Sequence, residues 1–204
     1  MRVGVFGGTF DPVHLGHLIL AEQCREQAAL DRVLFVPSAR PPHKLDQDMT
    51  PFAQRVEMLA LAIAGHAAFA IDELEKDRPG PSFTADTLRQ LKEQDAHAQL
   101  FLMLGADALN DLPMWHGPQQ IAALANLLVV ARPGSVVPPP ESIRAKLSLP
   151  LHAPLAIQVV QSPGIDIASR DLRRRAAAGQ SLRFLVPRAV EIYIQERRLY
   201  RTQP

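Results

Sequence analysis

A single cysteine, almost no net charge and the absence of long apolar runs narrow what this chain can be. Cys24 has no partner for an internal disulfide, and it lies in an apolar-periodic helical stretch where a buried, inert thiol is expected. A reducing cytoplasm fits that usage. Lysine and arginine number 22 against 21 aspartates and glutamates, a formal charge of +1. No global basic field marks a duplex nucleic-acid binder, so any anionic ligand must be met locally. No apolar stretch reaches the roughly eighteen uninterrupted residues of a membrane span, and Met1-Arg2-Val3-Gly4 lacks a signal-peptide pattern. The expectation is a soluble cytoplasmic protein without nucleic-acid or membrane partners. Also missing are a G-x-G-x-x-G fingerprint, a P-loop lysine and any Ser-His-Asp or Cys-His nucleophile arrangement.

What is present reads as α/β. With 204 residues, 47% of them hydrophobic, the chain can fill one core, and residues 1–204 are expected to form one domain. Short apolar runs predict strands at Val3–Phe6, Val33–Val36, Phe69–Asp72, Leu100–Leu104, Leu127–Ala131 and Ile157–Val160. Helical periods fall between them: from Leu15 to Gln27, over Pro51–Ala64 and Thr84–Gln94, and after the last strand over Ser169–Ala178 and Pro187–Arg198. Gly134–Pro154, rich in proline around a short amphipathic piece, reads as a surface connection. The alternation predicts a Rossmann-like open, mostly parallel sheet with helices on both faces, which binds ligands outside the carboxyl ends of its strands.

The stretch GVFGGTFDPVHLGH sits at such an end. Gly7 and Gly8 let backbone approach a ligand, Pro12 starts the turn, and His14 and His17 are spaced to share one helix face. Gly16 between them costs helix stability of about 1 kcal/mol relative to alanine, a cost explained by a ligand close to the backbone. Helix-terminal N–H groups, the positive end of a dipole and two imidazoles together make an anion site. A zinc site would need further ligands, and only Asp11 stands nearby in sequence.

The same stretch resembles the T/H-x-G-H signature of the nucleotidyltransferase superfamily, whose members transfer a nucleoside monophosphate to a phosphate or phosphonate acceptor. Four further stretches resemble nicotinate-nucleotide adenylyltransferase and together span most of the chain. PSARPPHK places His43 and Lys44 near the nucleotide site by that resemblance; read alone, it is a stiff loop with a solvated charge. GPSFTADTL sets Thr84 at a helix start where, in the family, backbone amides hold the pyridine carboxylate; Ser82 or Thr84 is also a plausible N-cap. LGADALNDLPMWH carries Gly105, Asp107, Trp115 and His116. Asp107 could accept from ribose hydroxyls or cap the following helix, and Trp115, the only tryptophan, could stack on a pyridine ring or fill the core. GIDIASRDLRRR resembles the family's I-S-S-T-x-I-R through Ile167, Ser169 and Arg173. It departs at Ala168, in place of a serine, and at Arg170, in place of a threonine.

The resemblance implies adenylyl transfer from ATP to nicotinate mononucleotide by in-line displacement, with Mg²⁺ on the triphosphate. The implied ATP site is Gly7, Gly8, Thr9, Phe10, His14, Gly16, His17, Ile167, Ser169 and Arg173, with His14, His17 and Arg173 catalytic. The implied pyridine-nucleotide site is His43, Lys44, Thr84, Gly105, Asp107, Trp115 and His116. Phosphopantetheine adenylyltransferase shares the first motif but lacks P-P-H-K and the tryptophan segment. A nucleotide-binding regulator without turnover is the alternative that Ala168 and Arg170 raise. The sequence leaves open the oligomeric state, a homo-oligomer included, and the preference between the acid and amide forms of the pyridine nucleotide.

Overall fold

The structure, a computed structural model, describes residues 1–42, 48–131 and 137–201. Six strands form one sheet: β1 (Arg2–Gly8), β2 (Arg32–Pro37), β3 (Phe69–Ile71), β4 (Gln99–Gly105), β5 (Ala125–Ala131) and β6 (Ile157–Gln161). Their order is β3-β2-β1-β4-β5-β6 and every pairing is parallel. The four central strands β1, β2, β4 and β5 divide their residues between two cores. Phe6, Val33, Phe35, Phe101, Met103, Leu128 and Val130 point into one, and Val3, Val5, Leu34, Leu100, Leu102, Leu127 and Val129 into the other. This division is why those four strands are mostly apolar, a side chain on either face meeting a helix, whereas the edge strand β6 leaves Gln158, Val159 and Gln161 exposed.

Helices α1 (Leu15–Gln27), α2 (Phe52–Ile63), α7 (Ser169–Ala177) and α8 (Arg188–Glu196) cover the first face, and α3 (Thr84–Gln94), α4 (Ala106–Asp111), α5 (Pro118–Leu124) and α6 (Pro140–Lys146) the second. The expected strands and long helices are all present, with ends moved by a residue or two. β1 itself continues through the glycine pair, where Gly7 and Gly8 register with Val36 and Pro37.

A helix was expected after Asp107 without bounds; the 3-10 turn after it, α5 and α6 were not expected. α4, a 3-10 turn at Leu112–Met114 and α5 are each too short for a period to show. Gly117, at φ 61°, separates the turn from α5, and a Cβ there would lie 3.2 Å from the Ala85 methyl. α6 begins at Pro140, a residue suited to a helix start because its missing N–H would have no partner there. Its Ile143, with Leu147 beyond, is buried in the second core. The proline-rich segment therefore carries part of the core rather than only a surface connection.

The strand order reverses between β1 and β4, so the loops leaving these two strands diverge and open a crevice. Among the described residues no helix is long and apolar enough to cross a membrane. Cys24 is fully buried, and burial pushes its thiol up to about 12. A raised thiol pKa in the fold means the unfolded chain loses its proton first as pH rises. The stabilisation is complete below the ordinary thiol pKa and is lost at up to about 1.4 kcal/mol per pH unit on the way to the folded value. Melting temperature should therefore fall above about pH 9, and less steeply in Cys24→Ala, as differential scanning fluorimetry across that range would show.

Candidate active site

Thr9–His14 leaves β1 and enters α1 with His14 as the extended N-cap residue, at φ −145° and ψ 169°. His14 is therefore outside the helix, and the histidines do not lie one above the other on a helix face. Their rings stack, with centroids 3.6 Å apart and planes at 22°. The His14 backbone N–H donates to His17 Nδ1 at 3.2 Å. A neutral imidazole that accepts at Nδ1 carries its proton on Nε2, so the ring's tautomer is set by this bond. The edge of the His17 ring is set by Phe6 and Phe10, at 5.8 and 5.2 Å between centroids.

Gly16 has a further reason beside the expected one. A Cβ there would lie 3.1 Å from His14 Nδ1, so the glycine makes room for the His14 ring as well as for any ligand. The first turn of α1 is also less open than its sequence implied. The Leu15 N–H donates to Leu185 O, and those of His17 and Leu18 turn back to His14 O. Among the described residues, Gly16 is the one first-turn amide without a backbone acceptor.

Opposite α1 stands the start of α7, and a cleft of about 240 Å³ lies between them. His14, Gly16 and His17 line one wall, and Ser162, Ile165, Ile167, Ala168 and Ser169 the other. Ala168 occupies the α7 N-cap position and supplies no side-chain cap. The N–H groups of Asp171 and Leu172 return to Ala168 O, which leaves those of Ser169 and Arg170 for a ligand. Ala168 has no hydroxyl to cap the helix, so those amides stay uncovered. Ser169 Oγ donates to Pro12 O at 2.9 Å, and Arg173 Nη1 donates to Asp11 O at 2.7 Å. Both side chains are thereby tied to the loop of the stacked histidines. The Arg170 side chain is 79% exposed and lies 3.5 Å from Asp171. Arg175 donates to Ser181 O beyond the end of α7.

A second group of expected residues gathers at the starts of α3 and α4. Neither Ser82 nor Thr84 caps α3: Phe83 is the N-cap residue, without a side-chain cap, and Thr84 is the first helical residue. Ser82 instead exchanges two hydrogen bonds with the Arg40 backbone, joining the loop after β2 to the α3 start. His116 stacks on Phe83 at 4.3 Å. Trp115 beside it is half-buried and packs on the second core. Gly105, not Asp107, is the N-cap residue of α4; Asp107 lies exposed in its first turn. His43 and Lys44 lie outside the described residues.

Three residues that organise this end of the sheet were not expected in that role. Arg55 is 1% exposed and donates to Thr50 O, Thr9 O and Ser38 O at 2.9, 2.8 and 2.9 Å. Desolvation lowers its pKa and the charge of Asp11 opposes that. Asp11, 3% exposed, accepts from the Tyr200 hydroxyl at 2.7 Å and from the Thr50 N–H at 3.2 Å. Burial, then the Asp11 charge, pushes the Tyr200 phenol well above its ordinary value, so it remains a donor. The sequence carried one signal among these: Phe52, Arg55, Met58, Leu59 and Ala62 share one helical stripe, which places an arginine on an apolar face. Among the described residues no three His, Cys, Asp or Glu side chains converge as a metal site would require. Phe10, 2% exposed at φ 51°, belongs to the core, so only its backbone can meet a ligand.

Comparison with known proteins places this geometry. Residues 5–175 match the cytidylyltransferase-like family. The chain is 46% identical to a probable nicotinate-nucleotide adenylyltransferase of Thermomicrobium roseum, over 98% of its own length and 92% of the relative's. It is 45% identical to one of Thermus thermophilus, over 98% and 100%. Among solved structures, Plasmodium falciparum nicotinic acid mononucleotide adenylyltransferase complexed with NaAD has a TM-score of 0.78 at 18% identity, covering 98% of this chain and 97% of that one. At that identity the likeness is one of fold.

Proposed function

The chain belongs to the nicotinate-nucleotide adenylyltransferases, within the cytidylyltransferase-like family, and we propose that it moves the adenylyl group of ATP to nicotinate mononucleotide. The products are nicotinate adenine dinucleotide and pyrophosphate, a step of NAD biosynthesis, with the whole chain acting as one nucleotidyltransferase domain. The observation that carries this reading is the cleft between the stacked histidines and the uncapped start of α7.

The acceptor's phosphate oxygen is already ionised at neutral pH and attacks the α-phosphorus directly. The bond from that phosphorus to the bridging oxygen breaks, and pyrophosphate leaves with the electron pair. No general base is needed, so catalysis rests on positioning and on donors aimed at developing charge. His14 and His17 are the donors for the α-phosphate, His17 through Nε2–H, assisted by the Gly16 N–H. Ser169, Arg173 and the first amides of α7 hold the departing β- and γ-phosphates. Gly7, Gly8, Thr9 and Phe10 meet the nucleotide through backbone, and Ile167 packs against it. Mg²⁺ enters on the triphosphate. Bound there, it would neutralise charge developing on the phosphates.

For the pyridine nucleotide, the uncapped amides at Thr84 suit a carboxylate and thus favour the acid form. Asp107, beyond the open backbone of Gly105, accepts from ribose hydroxyls. Trp115 and His116 flank the ring, and His43 and Lys44 are assigned to the acceptor phosphate. Trp115→Phe is expected to raise KM for the mononucleotide about three- to tenfold while leaving KM for ATP within twofold and lowering melting temperature by only a few degrees. A large melting loss with both KM values unchanged would make Trp115 a core residue alone.

The reading as a whole is tested by pyrophosphate release from Mg–ATP. Release should require nicotinate mononucleotide, and phosphopantetheine should not replace it. ATP binding without release, whatever acceptor is offered, would make the protein a nucleotide sensor and overturn the proposal.

A further inference from the structure

The C-terminal segment reaches back to the loop that carries the stacked histidines. After α8 the chain turns through left-handed residues at Arg198 and Tyr200, φ 51° and 63°, and the Tyr200 hydroxyl meets Asp11 Oδ1 at 2.7 Å. The other oxygen of this buried carboxylate takes the Thr50 N–H. The backbone carbonyl of the same Asp11 receives Arg173 Nη1, and the next carbonyl, that of Pro12, receives Ser169 Oγ. One residue thus joins Tyr200, through its side chain, to Arg173, through its backbone. A guanidinium has five N–H donors in a rigid plane. Spending one on Asp11 O fixes the direction of the others without exhausting them.

We propose that Tyr200 is a positioning residue for the triphosphate site: by occupying and holding the Asp11 carboxylate, its hydroxyl sets the direction of the Arg173 guanidinium. Without that hydroxyl, Asp11 Oδ1 is left buried and lacking a donor. The Asp11 side chain then loses its tie to the C-terminal segment, and the backbone carbonyl on which Arg173 rests loses the anchor that fixes the guanidinium's direction. This inference rests on the assignment of Arg173 to the ATP phosphates made above, and predicts a defect confined to that side of the reaction.

The test is Tyr200→Phe, which removes one oxygen, read by calorimetric titration with Mg–ATP and with pyrophosphate and by steady-state kinetics. ATP and pyrophosphate affinity should each fall about fivefold or more, with KM for nicotinate mononucleotide within twofold. Tyr193→Phe is the control. Tyr193 also donates to a carboxylate, Glu57 at 2.6 Å, but between α8 and α2 on the surface, and its loss should leave ATP affinity unchanged. In an Arg173→Ala background, Tyr200→Phe should add less than a twofold loss, because it acts through that arginine. Unchanged ATP affinity in Tyr200→Phe, equal weakening of both substrates, or full additivity with Arg173→Ala would each overturn the proposal. Since ATP titration needs no turnover, a protein that binds ATP and fails to transfer would sink the functional reading while leaving this comparison readable.

Discussion

His17→Ala is expected to lower kcat/KM at least about a hundredfold while the protein still folds, because removing one transition-state donor to a phosphoryl group costs about 2.7–4 kcal/mol. The geometry gives two reasons to expect so large an effect. The bond from the His14 N–H to Nδ1 leaves the ring proton on Nε2, the atom with which His17 would meet an α-phosphate oxygen. The stack at 3.6 Å also makes each imidazole a support for the other, so alanine removes one donor and loosens its neighbour. Contacts with Phe6 and Phe10 disappear too, at a cost of roughly 1–2 kcal/mol, which for a chain of this size lowers melting temperature by about 2–8 °C. Circular dichroism melts beside single-turnover kinetics separate the two effects. Near-normal turnover in the folded variant would remove the histidine pair from the mechanism.

The largest stability effect is expected at Arg55. Replacement by methionine keeps length and apolar contact but withdraws the donors from three carbonyls, those of Thr9, Ser38 and Thr50. It also removes the guanidinium charge that the Asp11 carboxylate favours. Unpartnered buried acceptors cost about 1–3 kcal/mol each, and losing one partner of a buried charge cluster typically costs about 3–5 kcal/mol in all. A melting loss of about 6–20 °C follows. Since Thr9 and Ser38 directly follow β1 and β2, activity should fall along with stability. Arg55→Lys keeps the charge but has one donor atom where the fork has several, so it should recover only part of the loss. Thermal melts of the three proteins decide the matter: a methionine variant that melts with the parent would show that these carbonyls are satisfied another way.

How much of this was legible in the sequence depends on how local each cause is. The central strands showed themselves because both faces are buried and Val, Leu and Phe run on in them. α3 was placed to the residue because Leu88 and Leu91 and the acidic first turn are local signals. α5 and α6 were hidden, and α4 was foreseen only as a helix after Asp107 without bounds, since helices of six or seven residues hold fewer than two turns and proline or glycine begins or interrupts each segment. Within the site, His14, His17 and Ser169 line one cleft as their motifs implied. What the motifs did not carry was the further reason for Gly16, which accommodates the His14 ring, and the true N-cap positions at Phe83 and Gly105. Tyr200 was beyond reach altogether, because its partner Asp11 lies 189 positions away and no periodicity links them.

The account turns on direct transfer of the adenylyl group within that cleft. ATP labelled at the α-phosphate, mixed with Mg²⁺, nicotinate mononucleotide and enzyme and then quenched in acid, follows that group directly. The label should appear in the pyridine–adenine dinucleotide in equal amount to the pyrophosphate released, with none retained on protein. Label bound to the protein, or recovered only as AMP, would contradict it.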